Sequence, residues 1–148
     1  MNVKVIENDL IVNDVVINKQ SDISSLSEGQ KRKIDLEKKI TLIILDDEGI
    51  RYWVKDNQIS EIQVCLNDVG KSDYFPKSAA SEIVMINNIP FNRETKINNE
   101  IIEKLKLLID DDNLRFGITT YVFKSDSIRY SFTLNSEGLI KHISISFP

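Results

Sequence analysis

Ile128-Arg129-Tyr130-Ser131-Phe132-Thr133-Leu134 alternates an apolar with a polar residue at every step. Successive side chains of a strand point to opposite faces, so Ile128, Tyr130, Phe132 and Leu134 form one apolar face and Arg129, Ser131 and Thr133 a wet one. The next run repeats the pattern, with Ile143, Ile145 and Phe147 set against His142, Ser144 and Ser146. Together with Ile118 to Lys124, and with turns at Ser125-Asp126 and Ser136-Glu137-Gly138, these segments read as a C-terminal three-stranded antiparallel meander with one solvated face.

Strand signals also fill the first two thirds of the chain. Val3 to Ile6, Leu10 to Val12 and Val15 to Ile17 are short apolar runs separated by Asn8-Asp9 and Asn13-Asp14, pairs that tolerate turn geometry, and they predict an N-terminal meander. Ile40 to Leu45 and Ile50 to Val54 flank Asp46-Asp47-Glu48-Gly49, whose glycine can take the positive φ that closes a central hairpin. In the following strand, Ile59 to Leu66, Ile62, Val64 and Leu66 alternate with Glu61, Gln63 and Cys65, which predicts a wetter second face. Residues 19–39 are the most polar stretch. They suggest a short helix through Ile23 and Leu26, capped by Ser21 and closed by Gly29, then a solvated loop or edge strand at Lys31-Arg32-Lys33. Asn67 to Glu82, containing Tyr74 and Phe75, is longer than an ordinary connection and is a candidate functional loop before a strand at Ile83 to Ile86.

The clearest helix signal is Asn98 to Ile109, where Ile101, Ile102, Leu105, Leu108 and Ile109 make a single apolar stripe. Asn98 can cap it, Ile97 can staple to Ile102, and Glu100 can pair with Lys104. The expected architecture is therefore one α+β domain over residues 1–148: an antiparallel sheet, or two, carrying one main amphipathic helix.

The residue counts exclude much familiar chemistry. The 148 residues include one Cys, one His, five Gly and three Pro, with 19 basic and 23 acidic side chains. No disulfide can form within the chain, and no Cys/His zinc site can be assembled from one residue of each kind. No Gly-rich phosphate loop or metalloprotease helix motif occurs, and the chain begins without the pattern of a secretory signal, which points to the cytoplasm. No run approaches the roughly 20 apolar residues that cross a bilayer, so no membrane partner is expected. His142 shares its predicted face with Ser144 and Ser146. Neighbours on one strand face do not bring nucleophile, base and oxyanion donors together, so His142 reads as a surface residue. Cys65 reads as a passive small side chain.

Two carboxylate clusters stand out, Asp46-Asp47-Glu48 and Asp110-Asp111-Asp112. Three consecutive residues do not converge on one ion without a loop built around it, so no metal or cofactor is expected. The second cluster follows the C-terminal end of the predicted helix, where the macrodipole disfavours anions. Either the helix stops earlier and the triplet is a solvated turn, or it is an acidic patch aimed at a basic partner. Residues 1–74 hold 14 acidic and 10 basic side chains and residues 75–148 hold nine of each, so the net charge of −4 belongs to the first half. An acidic surface steers basic partners and repels nucleic acid. Beside the first cluster lie Tyr52 and Trp53, aromatic anchors of the kind that interfaces use; on a strand one of the two faces inward and the other outward.

The hairpin Leu45-Asp46-Asp47-Glu48-Gly49-Ile50, with the strands before it and the C-terminal meander ending Ile143-Ser144-Ile145-Ser146-Phe147, resembles small bacterial proteins that include immunity proteins encoded beside polymorphic toxins of contact-dependent inhibition and Rhs type. The resemblance implies a non-enzymatic cytoplasmic inhibitor that binds one toxin domain, a basic one, by direct contact. Its expected contact residues are Asp46, Asp47, Glu48, Tyr52, Trp53, Tyr74, Asp110, Asp111 and Asp112. The competing expectations are a dimeric secretion chaperone or adaptor that holds an effector segment, and a small-molecule-binding or enzymatic α+β domain.

Overall fold

Type I′ turns explain much of how the chain folds. Asn13-Asp14, Asp56-Asn57 and Asn87-Asn88 all have positive φ at both positions, between 47° and 67°. Such two-residue turns match the twist of antiparallel strands, and Asn and Asp tolerate the left-handed region. They join β2 (Asp9–Val12) to β3 (Val15–Ile17), β6 (Ile50–Lys55) to β7 (Gln58–Cys65), and β8 (Val84–Ile86) to β9 (Ile89–Phe91). The remaining strands are β1 (Val3–Ile6), β4 (Arg32–Asp35), β5 (Ile40–Leu45), β10 (Leu108–Ile109), β11 (Thr120–Lys124), β12 (Arg129–Leu134) and β13 (Ile140–Ser146). This computed structural model describes residues 1–22 and 30–148, so the short helix expected around Ile23, Leu26 and Gly29 lies outside the described residues.

The strands form two sheets, and the protein is mostly β with few helices. One sheet has five strands in the order β3-β2-β1-β8-β9; the other has eight in the order β10-β11-β12-β13-β7-β6-β5-β4. The larger sheet is antiparallel throughout. The smaller one departs from the expected antiparallel pattern, because β1 pairs with β8 in parallel. A parallel neighbour needs a long crossover, and here most of the chain lies between the two strands.

Register fixes which side chains face the core. Tyr52, Ile62, Ile145 and Tyr130 lie in one row across β6, β7, β13 and β12, and Ile50, Val64, Ile143 and Phe132 lie in another. These rows pack against Val3, Val5, Leu10, Val84, Ile86 and Phe91 of the five-stranded sheet in one continuous hydrophobic core. Phe91 and Phe132 join the sheets directly, with ring centroids 4.8 Å apart.

The single main helix is replaced by two short ones. α1 (Asn99–Leu105) starts where expected, with the Asn98 side chain accepting a hydrogen bond from the Ile101 N–H. It ends early because Lys106 adopts the left-handed conformation at φ 53°. The Lys106 N–H then donates to the Glu103 carbonyl and the Leu107 N–H to that of Ile102, a Schellman closure without its usual glycine. Leu105 and Leu107 are buried, but Leu108 and Ile109, counted into the helical stripe by spacing, form β10 and face solvent. α2 (Asp111–Arg115) follows directly.

Phe132 is fully buried at the junction of the sheets. Phe132→Ala is expected to lower unfolding free energy by about 3–5 kcal/mol, the range for removing a buried aromatic ring. Denaturant melts check this, and a shift below 1 kcal/mol would show that the two sheets do not depend on this contact.

Candidate functional site

The outward face of the eight-stranded sheet is built around one guanidinium. Arg32, Ile44, Arg51, Gln63 and Ser144 line up in register across β4, β5, β6, β7 and β13, on the side opposite the core. Arg51 is only 8% exposed. Its Nε donates to Gln63 Oε1 at 2.9 Å and its Nη1 to the Tyr74 carbonyl at 2.7 Å. Its Cζ lies 3.8 Å from the Phe75 ring centroid and 4.8 Å from that of Trp53. Burial lowers the Arg51 pKa.

The loop that supplies Tyr74 and Phe75, residues 67–82, is thereby strapped across this face. Arg32 donates from Nη1 to the Asp73 carbonyl and from Nη2 to that of Phe75, so two arginines hold three successive carbonyls. Arg32 also pairs with Asp46 through two hydrogen bonds of 2.6 and 3.0 Å. Asp46 in turn accepts from the Lys77 N–H at 3.0 Å. The Arg32 hydrogen bond is the main reason that the Asp46 pKa is lowered. The expected free carboxylate at Asp46 is thus a structural anchor, because its charge is spent on Arg32 and the strap.

Gly49 fixes where the strap crosses the hairpin. Its φ is +69°, and an added Cβ would sit 2.0 Å from the Ala80 nitrogen. Gly49→Ala is therefore expected to destabilise the fold by about 3 kcal/mol, combining backbone strain with a clash that only backbone movement relieves. An unchanged denaturation midpoint would contradict this close approach.

Apart from Asp46, the sequence-predicted residues divide into three groups. Asp47 is exposed and Glu48 half-buried in the hairpin turn beside the Asp46 anchor, while Trp53, half-buried, meets Arg51 with its ring and Tyr74, 51% exposed, meets it with its carbonyl. Tyr52 does not belong with them. It is 2% exposed and faces the core, as strand alternation requires for the neighbour of an outward Trp53, and burial pushes its pKa up to about 12. Asp110, Asp111 and Asp112 lie at the far end of the sheet, beside the edge strand β10, so the two acidic clusters make no common patch.

The triplet also has a different electrostatic setting from the expected one. Asp110 caps α2, accepting from the Asn113 N–H at 3.1 Å, and Asp111 and Asp112 occupy its first turn, where the helix dipole favours anions. Asp110 lies 3.9 Å from Arg129 and Asp112 3.8 Å from Arg115, so the charge there is mixed.

Two further expectations are corrected. The outward face of β7 is not wet, since Gln63 and Cys65 are buried. His142 is half-buried rather than a plain surface residue, and its Nδ1 has no hydrogen-bond partner among the described residues. Burial, with Arg51 and Lys141 nearby, lowers the imidazole pKa to about 4, while burial raises the Cys65 thiol to about 11. A protonated thiol beside a weakly basic imidazole does not make an activated nucleophile. Among the described residues, no group of three or more His, Cys, Asp or Glu side chains can hold a metal ion, and no helix is long and apolar enough to cross a membrane.

Arg51 was not singled out from sequence, although one signal was present: a lone arginine in a strand flanked by Ile50, Tyr52 and Trp53. The exposed apolar residues of segment 108–118 were also missed.

The fold and site define a mostly β protein whose best-organised outward feature is an aromatic and arginine cluster under a pinned loop. Residues 2–101 match a family described as a domain of unknown function, DUF7738, and the chain belongs to that family. No curated protein and no solved structure matches it. The matched residues include the strap, Arg32, Arg51 and the hairpin, whereas β10 to β13 and α2 fall outside them.

The Arg32–Asp46 anchor makes the strap sensitive to acid. Because the folded-state pKa of Asp46 is lowered, its contribution is present above the unfolded value of about 4 and is lost as pH falls through the lower folded value. Fluorescence of Trp53, the one tryptophan, is expected to report loosening of the strap below about pH 4, and Asp46→Asn is expected to abolish that transition. Glu61, whose pKa burial raises, titrates at higher pH in both proteins. An identical acid transition in the two would contradict the anchoring role.

Proposed function

We propose that this chain is a cytoplasmic immunity protein that neutralises a cognate bacterial toxin domain by direct, stoichiometric contact, with the strap and hairpin as its binding surface. The observation that carries the reading is the Phe75–Arg51–Trp53 cluster, which together with Arg32 and Asp46 pins the backbone that bears the exposed Tyr74. Interface hot spots are enriched in Trp, Tyr and Arg, and a surface whose loop is already pinned loses little conformational freedom on binding. Tyr74 is the exposed anchor and Trp53 the half-buried wall, and two exposed carboxylates suit a basic partner: Asp73, next to Tyr74 in the chain, and Asp47, next to the Asp46 that anchors the strap. This surface also lies within the residues that match the family.

The partner to test is the product of a toxin-like gene next to this one. The expected result is a 1:1 complex and rescue of growth when both are expressed. Tyr74→Ala and Trp53→Ala are expected to weaken binding at least ~10-fold each, and Asp47→Lys to slow association. Full affinity in all three variants would remove the strap surface from the proposal, and failure of the intact chain to bind or protect would remove the immunity reading itself.

A further inference from the structure

The far edge of the eight-stranded sheet carries a second, unrelated surface. Leu108 is 75% exposed and Phe116 82%, and Ile109, Leu114 and Ile118 are exposed as well, all within one short segment. Five large apolar side chains open within eleven residues are more than the singly scattered ones normal on a monomer surface. Next to it, a groove of about 740 Å³ is lined by both charge signs, Asp111 and Asp112 against Lys106, Lys124 and Arg129. The sheet edge is open there too. The Asp110 N–H donates to the Thr120 carbonyl at 2.9 Å, so by the two-residue alternation of an antiparallel ladder the N–H and C=O of Ile109 point away from β11.

We infer that this edge is a two-fold interface with a second copy of the chain. A two-fold contact apposes one patch to itself, so the patch must be complementary to its own copy. This one is: its acids can meet the bases of the other copy, its apolar residues can cover one another, and a single outward-facing residue, Ile109, can exchange both of its backbone hydrogen bonds with Ile109 of that copy. A uniformly acidic edge would repel its copy, and an edge blunted by proline or inward-facing charge would block pairing. Neither device is present at β10. The pairing makes one sheet continuous through two chains and leaves the strap surface of each copy free, since β5 and β6 lie near the opposite edge.

Sedimentation equilibrium of the full chain is expected to give twice the chain mass of 17.0 kDa, and Leu108→Lys with Phe116→Glu to halve the observed mass without changing the circular dichroism spectrum. Because that double variant can also disturb folding, a second measurement uses single cysteines. Under oxidation the Ile109→Cys chain is expected to cross-link to a dimer, while a Val16→Cys chain, altered at the exposed edge of the other sheet, is not; the native Cys65 is buried. A single-chain mass at every concentration would overturn the inference and leave the patch to a different protein. A dimer that survives the double variant, or equal cross-linking through Val16→Cys, would place the interface elsewhere and overturn it as well.

Discussion

A desolvated arginine sets the outward face of this protein. Removing a guanidinium from water is unfavourable unless its donors are satisfied and its charge is met, and no carboxylate forms an ion pair with Arg51 among the described residues. The compensation comes from an amide oxygen, a backbone carbonyl and the faces of two rings. Two of those four contacts belong to the strap, so Arg51 can stay buried only while residues 67–82 lie where they do. Strap and arginine depend on each other, and Arg32 with Asp46 ties the same loop to the neighbouring strands.

That dependence divides the larger sheet between two roles. Its inner face is a conventional hydrophobic surface, closed by the five-stranded sheet and locked by the Phe91–Phe132 contact. Its outer face buries Leu42, Ile44 and Cys65, which stand apart from the main core cluster. A loop held by side-chain anchors rather than by strand pairing can present Tyr74 in a fixed position without continuing the sheet. The backbone at Tyr74 is thereby held while its side chain stays exposed.

Most of the strands were legible in the chain because their signal is local. Alternation around Tyr130 and Phe132, and turn residues such as Asn13-Asp14, are properties of a few neighbouring residues. The helix after Asn98 was half legible for the same reason: its cap is local, but its end depends on Lys106 taking a left-handed conformation that no glycine announces. With that end misplaced, the dipole argument about Asp110, Asp111 and Asp112 had the wrong sign, since they open a helix rather than close one. Tyr52 illustrates the other limit. Strand alternation says that it and Trp53 face opposite ways, but which faces the core is decided by the distant five-stranded sheet. Asp46 and Arg51 were illegible in role because their partners, Arg32, Lys77, Tyr74 and Phe75, lie 14 to 31 residues away in sequence.

Amide hydrogen exchange on Arg51→Gln, compared with the unaltered chain, tests the dependence of the strap on this arginine most directly. The N–H groups of Gly70, Lys77, Ser78 and Ala80 donate to Pro76, Asp46, Asp46 and Cys65 in the pinned state. Their protection is expected to collapse in the variant while β11 to β13 keep theirs. Undiminished protection at those four amides, with Arg51 gone, would contradict the central role given to it.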